Sequence, residues 1–509
     1  MRIMNKIREV LYKMHFIQGI KDKFQDKRIP DCQSFYDTYI SAWKNAYTVD
    51  KIQKDWLRTH KKTVLSPGAT KRTRDGLNMA KILCEELAGL IFNEECTISV
   101  SSDQKKIAQQ EDDPLDTFVQ DVLQRNSFWS KFQNLIEMEL ALGGAAIKLS
   151  HDGEREIKFS YLMADQFIPV GWTNRGMTEG VFVTQEKRDR YYYTLFEWHL
   201  LKTAEGELKR ELEYNLFESS NTDHLGVEID VKRVYPELEP VLRINRDVQT
   251  FVYFAPNTAN NADFALPLGI SVFANALDTL KQLDIAFDSF GREFVLGKKR
   301  IIVPAAAIRE VVVPGIDSEP LRYFDADDEV YEAFDFDKMD SFQIQDNTVV
   351  LRVEEHVKAI NALLNILCMQ TGLTAGTFSF DVAQGVKTAT EIISANSKTY
   401  KTIKGHQNLI REAIESVVRS IIEYGKMYGQ IPESATYTVT VGFDDSIVTD
   451  KNADIDNVIK LTSAGLMSKR RALMELNDWP AEKAEEELQQ IHAEASVPST
   501  DRQDIFGQE

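Results

Sequence analysis

Apolar positions along this chain repeat at helical spacing in some stretches and alternate at strand spacing in others. Leu77, Ala80, Leu83, Leu87 and Leu90 share one helical face, Asn93 is placed to end that helix, and CTISV reads as a short strand. PLDTFVQDVL and SFWSKFQNLIEMELAL are helical, with Ser127 the expected cap of the second and Gly143-Gly144 its stop. From about residue 145 to 235 the pattern changes to alternation. IKFSYL, GVFVTQE, YYYTLFEWHLL and GELKRELEYNLF, separated by turn residues, predict an antiparallel meander attached to helices.

Helical texture returns at 268. Phe273, Leu277, Leu280, Leu283, Phe287, Phe290 and Phe294 form a narrow stripe, with Ser271 as cap and Gly297 as stop. A second stripe, Val353, Val357, Ile360, Leu364 and Leu367, predicts a helix from near Thr348 to Thr371-Gly372. Between them lie KKRIIVP, three prolines (Pro304, Pro314, Pro320), short β-like pieces and the acidic run YFDADDEVYEAFDFDKMD. After Gly372 comes a Gly-rich loop carrying Phe378 and Phe380. From the residues alone it is an inter-helix loop with buried aromatics.

A long helix follows, from near Val386 to Gly429, with Ala389, Ile393, Tyr400, Ile403, Ile410, Ile414, Val417, Ile421 and Tyr424 among its apolar positions. At 1.5 Å per residue it would reach about 65 Å, with Gly405 a place for a kink. YTVTVGFD is a strand. From Lys451 two amphipathic segments are joined through Asn477-Asp478-Trp479-Pro480, and a polar tail ends the sequence. The first 65 residues read as helices and turns with exposed aromatics (Trp43, Tyr47, Trp56), closed by a turn at Ser66-Pro67-Gly68. Within them Ile3, Ile7, Val10, Met14 and Ile17 predict a peripheral amphipathic helix that packs on its own protein rather than on a membrane. There is no internal repeat.

Composition narrows the function classes. A chain of 509 residues with 43% apolar and 27% charged residues is ordinary for a folded protein of more than one domain. The formal net charge of −19 is the reverse of the basic stripe of a dedicated nucleic-acid binder, so any meeting with DNA is expected to be without grip. Cys32, Cys84, Cys96 and Cys368 form no CxxC pair and read as reduced thiols in a cytosolic setting. No apolar run of membrane-spanning length is present, and charges interrupt the N-terminal stretch where a signal peptide would need an apolar region.

Candidate chemistry is sparse. The eight histidines are scattered, without HExxH or any close pair, so no metal site is expected from them. Asp325, Asp327 and Asp328 are the sharpest carboxylate cluster, but the EF-hand positions of glycine and glutamate are unfilled, and a solvated acidic surface is the simpler reading. GKKRI at 297–301 lacks the rest of a P-loop; Lys298, Lys299 and Arg300 suit the negative end of a helix dipole. No G-x-S-x-G or GxGxxG is present. No catalytic residue, metal or cofactor is expected.

The order of elements resembles the portal proteins of tailed bacteriophages, in the branch with SPP1-like and A118-like members. The matching text is LNMAKILCEELAGLIFNEE, ELALGGAAIKLS, LPLGISVFANALDTLKQLDIAFDSF, GVKTATEIISANSKTYKTI and GLMSKRRALMELNDWPAEKAEEELQQI, and the resemblance covers nearly the whole chain. It implies an α+β portal fold: wing 1–267, stem helices 268–297 and 348–371, clip 298–347, tunnel loop 372–385, a long helix and return strand of the wing 386–450, crown 451–495 and a polar tail 496–509. It implies a dodecameric ring at one capsid vertex, assembled in the host cytoplasm, passing double-stranded DNA without sequence-specific binding. Implied partners are the terminase large subunit, head-completion or adaptor proteins, and major capsid and scaffold proteins, with no membrane.

The resemblance also assigns residues. Thr377, Phe378, Ser379, Phe380, Asp381, Val382 and Gln384 would face DNA in the tunnel loop. Lys298, Lys299, Arg300, Asp325, Asp327, Asp328 and Glu329 would dock terminase or adaptor in the clip. Leu277, Leu280, Phe287, Val357, Ile360 and Leu364 would pack subunits together in the stem. Two other readings stand beside it: a minor head or scaffold protein without a channel, and a metal-dependent nuclease or hydrolase centred on Asp325, Asp327 and Asp328.

Overall fold

The computed structural model describes residues 32–48, 58–61, 69–72, 75–93, 95–102, 113–151, 156–174, 176–204, 206–221, 225–244, 246–297, 301–304, 310–311, 321–322, 331–334, 345–346, 349–380, 389–433, 435–443, 451–477, 484–485 and 487–491. The amphipathic helix expected around Ile3–Ile17, Trp56, the turn at 66–68, the cluster Lys298, Lys299 and Arg300, the acidic Asp325, Asp327, Asp328 and Glu329, loop residues Asp381, Val382 and Gln384, the junction 478–480 and the tail 496–509 lie outside them. The chain divides into two units, Met1–Gln384 with Lys401–Phe443, and Gly385–Tyr400 with Asp444–Glu509.

In the first unit a helical run begins at Gln33, takes π winding over Tyr36–Ile40 and continues as α1 (Ser41–Tyr47). Trp43, expected on the surface, is only 1% exposed. The correction has a physical reason. Phe35, Tyr39 and Trp43 recur every four residues and so share a face, where Trp43 meets Phe35 edge-on at 5.8 Å and Tyr39 at 6.1 Å. Tyr47 is half-buried, its hydroxyl bonded to Glu137.

Helix α2 (Met79–Ile91) buries Leu83 and Leu87 as its periodicity predicts, and Asn93 holds the turn beyond it by accepting the Glu95 N–H at 3.1 Å. Strand β1 (Thr97–Ser102) alternates exposed and buried. Helix α3 (Pro114–Arg125) is capped by Asp113, which accepts from the Leu115 N–H at 2.9 Å and from the Ser102 N–H at 2.7 Å. Burial would raise the Asp113 carboxyl; the N–H groups of Ser102 and Leu115 outweigh it and hold it below its ordinary range. Helix α4 (Phe128–Leu142) differs from expectation at its start. Ser127 sits in the left-handed region (φ 51°), and its side chain caps nothing. The stop is as expected: Gly143 has φ 81°, and a Cβ there would lie 2.7 Å from the Ile270 backbone.

The alternating stretch is an antiparallel meander. It comprises β2 (Ala145–His151), β3 (Ile157–Met163), β4 (Phe167–Thr173), β5 (Gly176–Arg188), β6 (Tyr191–Ala204), β7 (Glu207–Ser219), β8 (Val227–Ile229), β9 (Val241–Ile244) and β10 (Phe251–Phe254). One sheet runs β8-β7-β6-β5-β4, with β9 also on β7; a second runs β10-β2-β3. Phe167, Phe182 and Phe251 are buried together.

Beside them lies a polar knot. Lys148 on β2 is paired with Glu197 on β6, whose other oxygen takes His199 Nε2 at 3.1 Å, while His199 Nδ1 lies 2.6 Å from the Thr250 hydroxyl. Burial opposes the Glu197 charge, but the Lys148 ammonium and His199 overcome it and bring the carboxyl down to about 2. Burial lowers His199 despite Glu197, so the imidazole is neutral at pH 7: Nε2–H donates to Glu197 and Nδ1 accepts from Thr250.

After a 3₁₀ turn (Ala274–Ala276) comes α5 (Leu277–Leu296), then α6 (Val353–Gln370) and the 39-residue α7 (Ala389–Met427), about 58 Å long. Ser271 caps neither the 3₁₀ turn nor the long helix: its hydroxyl accepts the Phe273 N–H at 3.3 Å, ahead of the turn, and donates to the Leu140 carbonyl at 3.2 Å. The α7 positions Ile403, Ile410, Ile414, Val417, Ile421 and Tyr424 are buried as the periodicity predicts. At Gly405 the missing side chain admits Asn257 against the helix. Strand β11 (Tyr437–Gly442) pairs antiparallel with β1, Tyr437 opposite Ser102. Between α5 and α6, Ile301–Pro304 pairs with Tyr331–Phe334 and with Gln345–Asp346, and Glu310–Val311 pairs with Leu321–Arg322.

The second unit holds α8 (Lys451–Ser463) and α9 (Lys469–Asn477). The sequence pattern merges these two into one segment. They separate at Gly465 (φ 71°), after which the Leu466 N–H turns back to the Leu461 carbonyl at 2.9 Å. Arg470 Nε meets Glu485 at 3.3 Å. All four cysteines are buried and none is in a disulfide, and among the described residues no helix is long and apolar enough to cross a membrane.

The Lys148–Glu197 pair generates a prediction. Lys148→Met leaves a buried carboxylate without its ammonium and should cost about 3–5 kcal/mol, whereas Lys148→Met with Glu197→Leu should cost much less. Urea unfolding of the two variants, followed by tryptophan fluorescence, checks the order.

Candidate functional site

Helices α5 and α6 form an antiparallel pair, because their apolar stripes face the interior of the same unit. Leu280 and Leu283 of α5 are buried with Ile360, Leu364 and Leu367 of α6. Polar bonds mark the two ends of the pair. At one end the Thr279 hydroxyl donates to Gln370 Oε1 at 2.8 Å. At the other, Arg352 grips Glu293 through Nη2 at 2.9 Å and Nε at 3.1 Å, and the Arg352 backbone N–H adds a third bond at 3.2 Å. His356 Nε2 stands 3.5 Å from the same carboxylate. The Arg352 bonds bring the Glu293 carboxyl down to about 2.

Two carboxylates on α5 are buried although the stripe is apolar. Asp284 accepts the Leu77 N–H at 2.6 Å and Asp288 the Asp75 N–H at 3.2 Å. They dock the segment leading into α2 against α5 and satisfy backbone groups at a buried crossing.

The loop after α6 is tied down over its described half. Gly372 (φ 81°) reverses the chain, and its carbonyl accepts from the Thr402 hydroxyl of α7 at 2.7 Å. A Cβ at this position would lie 2.8 Å from that same hydroxyl oxygen. Leu373 is buried. Two asparagines one turn apart on α6 then catch the loop backbone: Asn365 Oδ1 accepts the Gly376 N–H at 2.8 Å, and Asn361 Oδ1 accepts the Phe380 N–H at 2.7 Å. Thr377 bonds its hydroxyl to the Thr374 carbonyl at 2.7 Å. Phe378 is half-buried against the core, Ser379 is exposed, and Phe380 is 36% exposed with its ring edge-on to Phe290 at 5.8 Å.

The structure therefore brings Thr377, Phe378, Ser379 and Phe380 together beside α6. Of the residues expected to pack subunits, Leu280, Ile360 and Leu364 are buried within the single chain, and Leu277, Phe287 and Val357 are half-buried. Asn361 and Asn365 were not singled out from sequence; the signal was two asparagines at helical spacing just before a glycine-rich loop. Among the described residues no group of three His, Cys, Asp or Glu side chains is placed to hold a metal ion.

Two predictions follow from these contacts. Because the folded Glu293 pKa lies below its unfolded value, the Arg352 clasp stabilises fully above about pH 4.5 and is lost as pH falls through about 2. Thermal melts of Glu293→Gln and the unchanged protein should differ at pH 7 and converge toward pH 2. Asn361→Ala with Asn365→Ala should speed amide exchange at Gly376 and Phe380 by roughly 5- to 10-fold, one net hydrogen bond of about 1 kcal/mol each. Hydrogen-exchange mass spectrometry over 372–380 reads this.

Comparison with known proteins places this arrangement. The family model described as "Phage portal protein, SPP1 Gp6-like" matches residues 20–497. Among solved structures, a chain from the neck of an empty gene transfer agent particle, computed with C6 symmetry, is 11% identical, with a TM-score of 0.39 over 78% of this chain and 89% of that one. A chain from the virion of a native gene transfer agent particle is 10% identical, with a TM-score of 0.37 over 86% and 92%. No curated protein matches. The family match spans nearly the whole chain, and the chain belongs to the SPP1 Gp6-like family of phage portal proteins.

Proposed function

We propose that this chain forms a closed dodecameric ring at one capsid vertex and that double-stranded DNA enters and leaves through its centre. The family match over residues 20–497 carries this reading. In it, α5 and α6 are the stem, residues 298–347 the clip, 372–385 the tunnel loop, the meander with β11 the wing, and α8 and α9 part of the crown. A heterologous interface that closes by rotation produces such a ring.

The physical properties of the chain support a conduit. Tight DNA binding comes from lysines and arginines that neutralise phosphates and release counterions. A net charge of −19 works against that grip and leaves the duplex free to slide. Movement then needs an external motor. The terminase large subunit supplies it in this reading, docking on the clip through Lys298, Lys299, Arg300, Asp325, Asp327, Asp328 and Glu329. Head-completion proteins take the same place afterwards, and major capsid and scaffold proteins surround the ring during assembly. Acidic side chains there would meet a basic partner surface and steer its approach.

The tunnel-loop assignment rests on Gly372 at the end of α6 and on Thr377 to Phe380, held back along that helix by Asn361 and Asn365 with Thr377, Ser379 and Phe380 exposed. Deleting residues 374–384 should leave rings intact in electron micrographs while DNA packaging or retention falls. Loss of ring assembly instead would show that the loop is structural.

A further inference from the structure

Each helix of the α5–α6 pair is covered on one side only. On α6 the buried positions are Ile360, Leu364, Leu367 and Cys368. On the opposite side Glu355, Ala359, Ala362, Ile366 and Met369 recur in steps of four and three, and all five are exposed, Ile366 by 40% and Met369 by 64%. This is the spacing of a helix–helix seam. On α5 the outward side carries Asp278, Ile285 and Arg292, seven residues apart, with Ile285 38% exposed.

The two outward sides are complementary. Three contacts set the rungs of the pair: Thr279 with Gln370, Phe290 with His356 at 6.1 Å, and Glu293 with Arg352. Interpolating between them puts Ile285 level with Ala362, and Arg292 level with Val353, less than two residues or about 2.5 Å along the helix from Glu355. A large side chain on one face stands at the height of an alanine on the other. A cation stands within about 2.5 Å, along the helix axis, of the height of an anion, an offset that an arginine side chain can span. Among the described residues neither Arg292 nor Glu355 is in an ion pair; the guanidinium near Glu355, that of Arg352, is already bonded to Glu293. Rotation about a ring axis carries one copy onto the next without changing height along that axis, so with the helix pair running along the axis, as the stem reading has it, groups at one level meet.

We propose that the outward face of α5 from one copy seats on the outward α6 stripe of the next, with Ile285 against Ala362 and Arg292 reaching along the helix to pair with Glu355. The occupant is a second copy of this chain, and the proposal rests on the ring reading above. It moves the subunit seam away from Leu280, Ile360 and Leu364, which the chain's own core uses. The seam runs beside Asn361 and Asn365, so each loop is held next to a subunit boundary.

The test uses the full-length chain. Ile285→Cys combined with Ala362→Cys should give a ladder of covalent multimers under mild oxidation, and neither single variant should. Arg292→Glu or Glu355→Arg alone should lower the ring population by about tenfold or more through like-charge contact, and the double reversal should restore it. Ile285, Glu355 and Ala362 are exposed and Arg292 is half-buried, so melting curves should stay close to those of the unchanged chain. Rings that form normally in both reversals, with no ladder from the double cysteine, overturn the seam and leave the portal reading standing. An unchanged chain that makes no ring even with capsid and scaffold proteins removes the ring reading, and the seam with it.

Discussion

The packing of α5 against α6 is the constraint on which the rest depends. Its apolar seam, Leu280 and Leu283 against Ile360, Leu364 and Leu367, brings together segments far apart in sequence. Burial of this kind supplies about 25 cal/mol per Å² and has no direction of its own, so the polar bonds at the two ends fix the register. Thr279 with Gln370 fixes one end, and Glu293 with Arg352 fixes the other. Other parts attach to this frame. Asp284 and Asp288 dock residues 75–77, Ser271 roots the start of α5 on α4, and the residues between 297 and 349 leave from and return to one end. The loop at 372–380 folds back along the other helix.

The same economy of covered and uncovered faces explains how the protein can be both stable and incomplete. Helix α6 is apolar on two opposite sides, and one chain covers only one of them. Assembly of a portal ring needs surface that survives folding yet binds on contact with another copy. A heptad of alanines, isoleucine and methionine is weakly apolar for its length, which keeps a free chain tolerable in water. A cation and an anion across the proposed seam add choice of partner more than strength. In the proposed conduit the acidic balance of the chain works against grip on the duplex.

Much of the architecture was legible in the sequence where a single periodicity dominated. The stripes of α2, α5, α6 and α7 and the alternation of β5 to β7 state their elements directly, and Gly143 and Gly372 mark reversals that only left-handed backbone allows. What periodicity cannot state is what covers a face. Trp43 is apolar among polar neighbours and reads as exposed until its aromatic companions at four-residue spacing are seen together. The strongest stripes of the stem were expected between subunits, yet Leu280, Ile360 and Leu364 are buried inside one chain. Caps failed for a related reason: Ser127 and Ser271 are cap-forming residues, but one adopts left-handed backbone and the other bonds across to α4. The asparagines that hold the loop leave no periodic trace, because one hydrogen bond each is all they contribute.

The most direct measurement is the mass and shape of the purified protein, by mass photometry with negative-stain imaging. The account predicts a particle of about 700 kDa, twelve chains of 58.1 kDa, seen as a ring with a central hole. A chain that remains monomeric or forms open polymers in the presence of its capsid and scaffold proteins would contradict it.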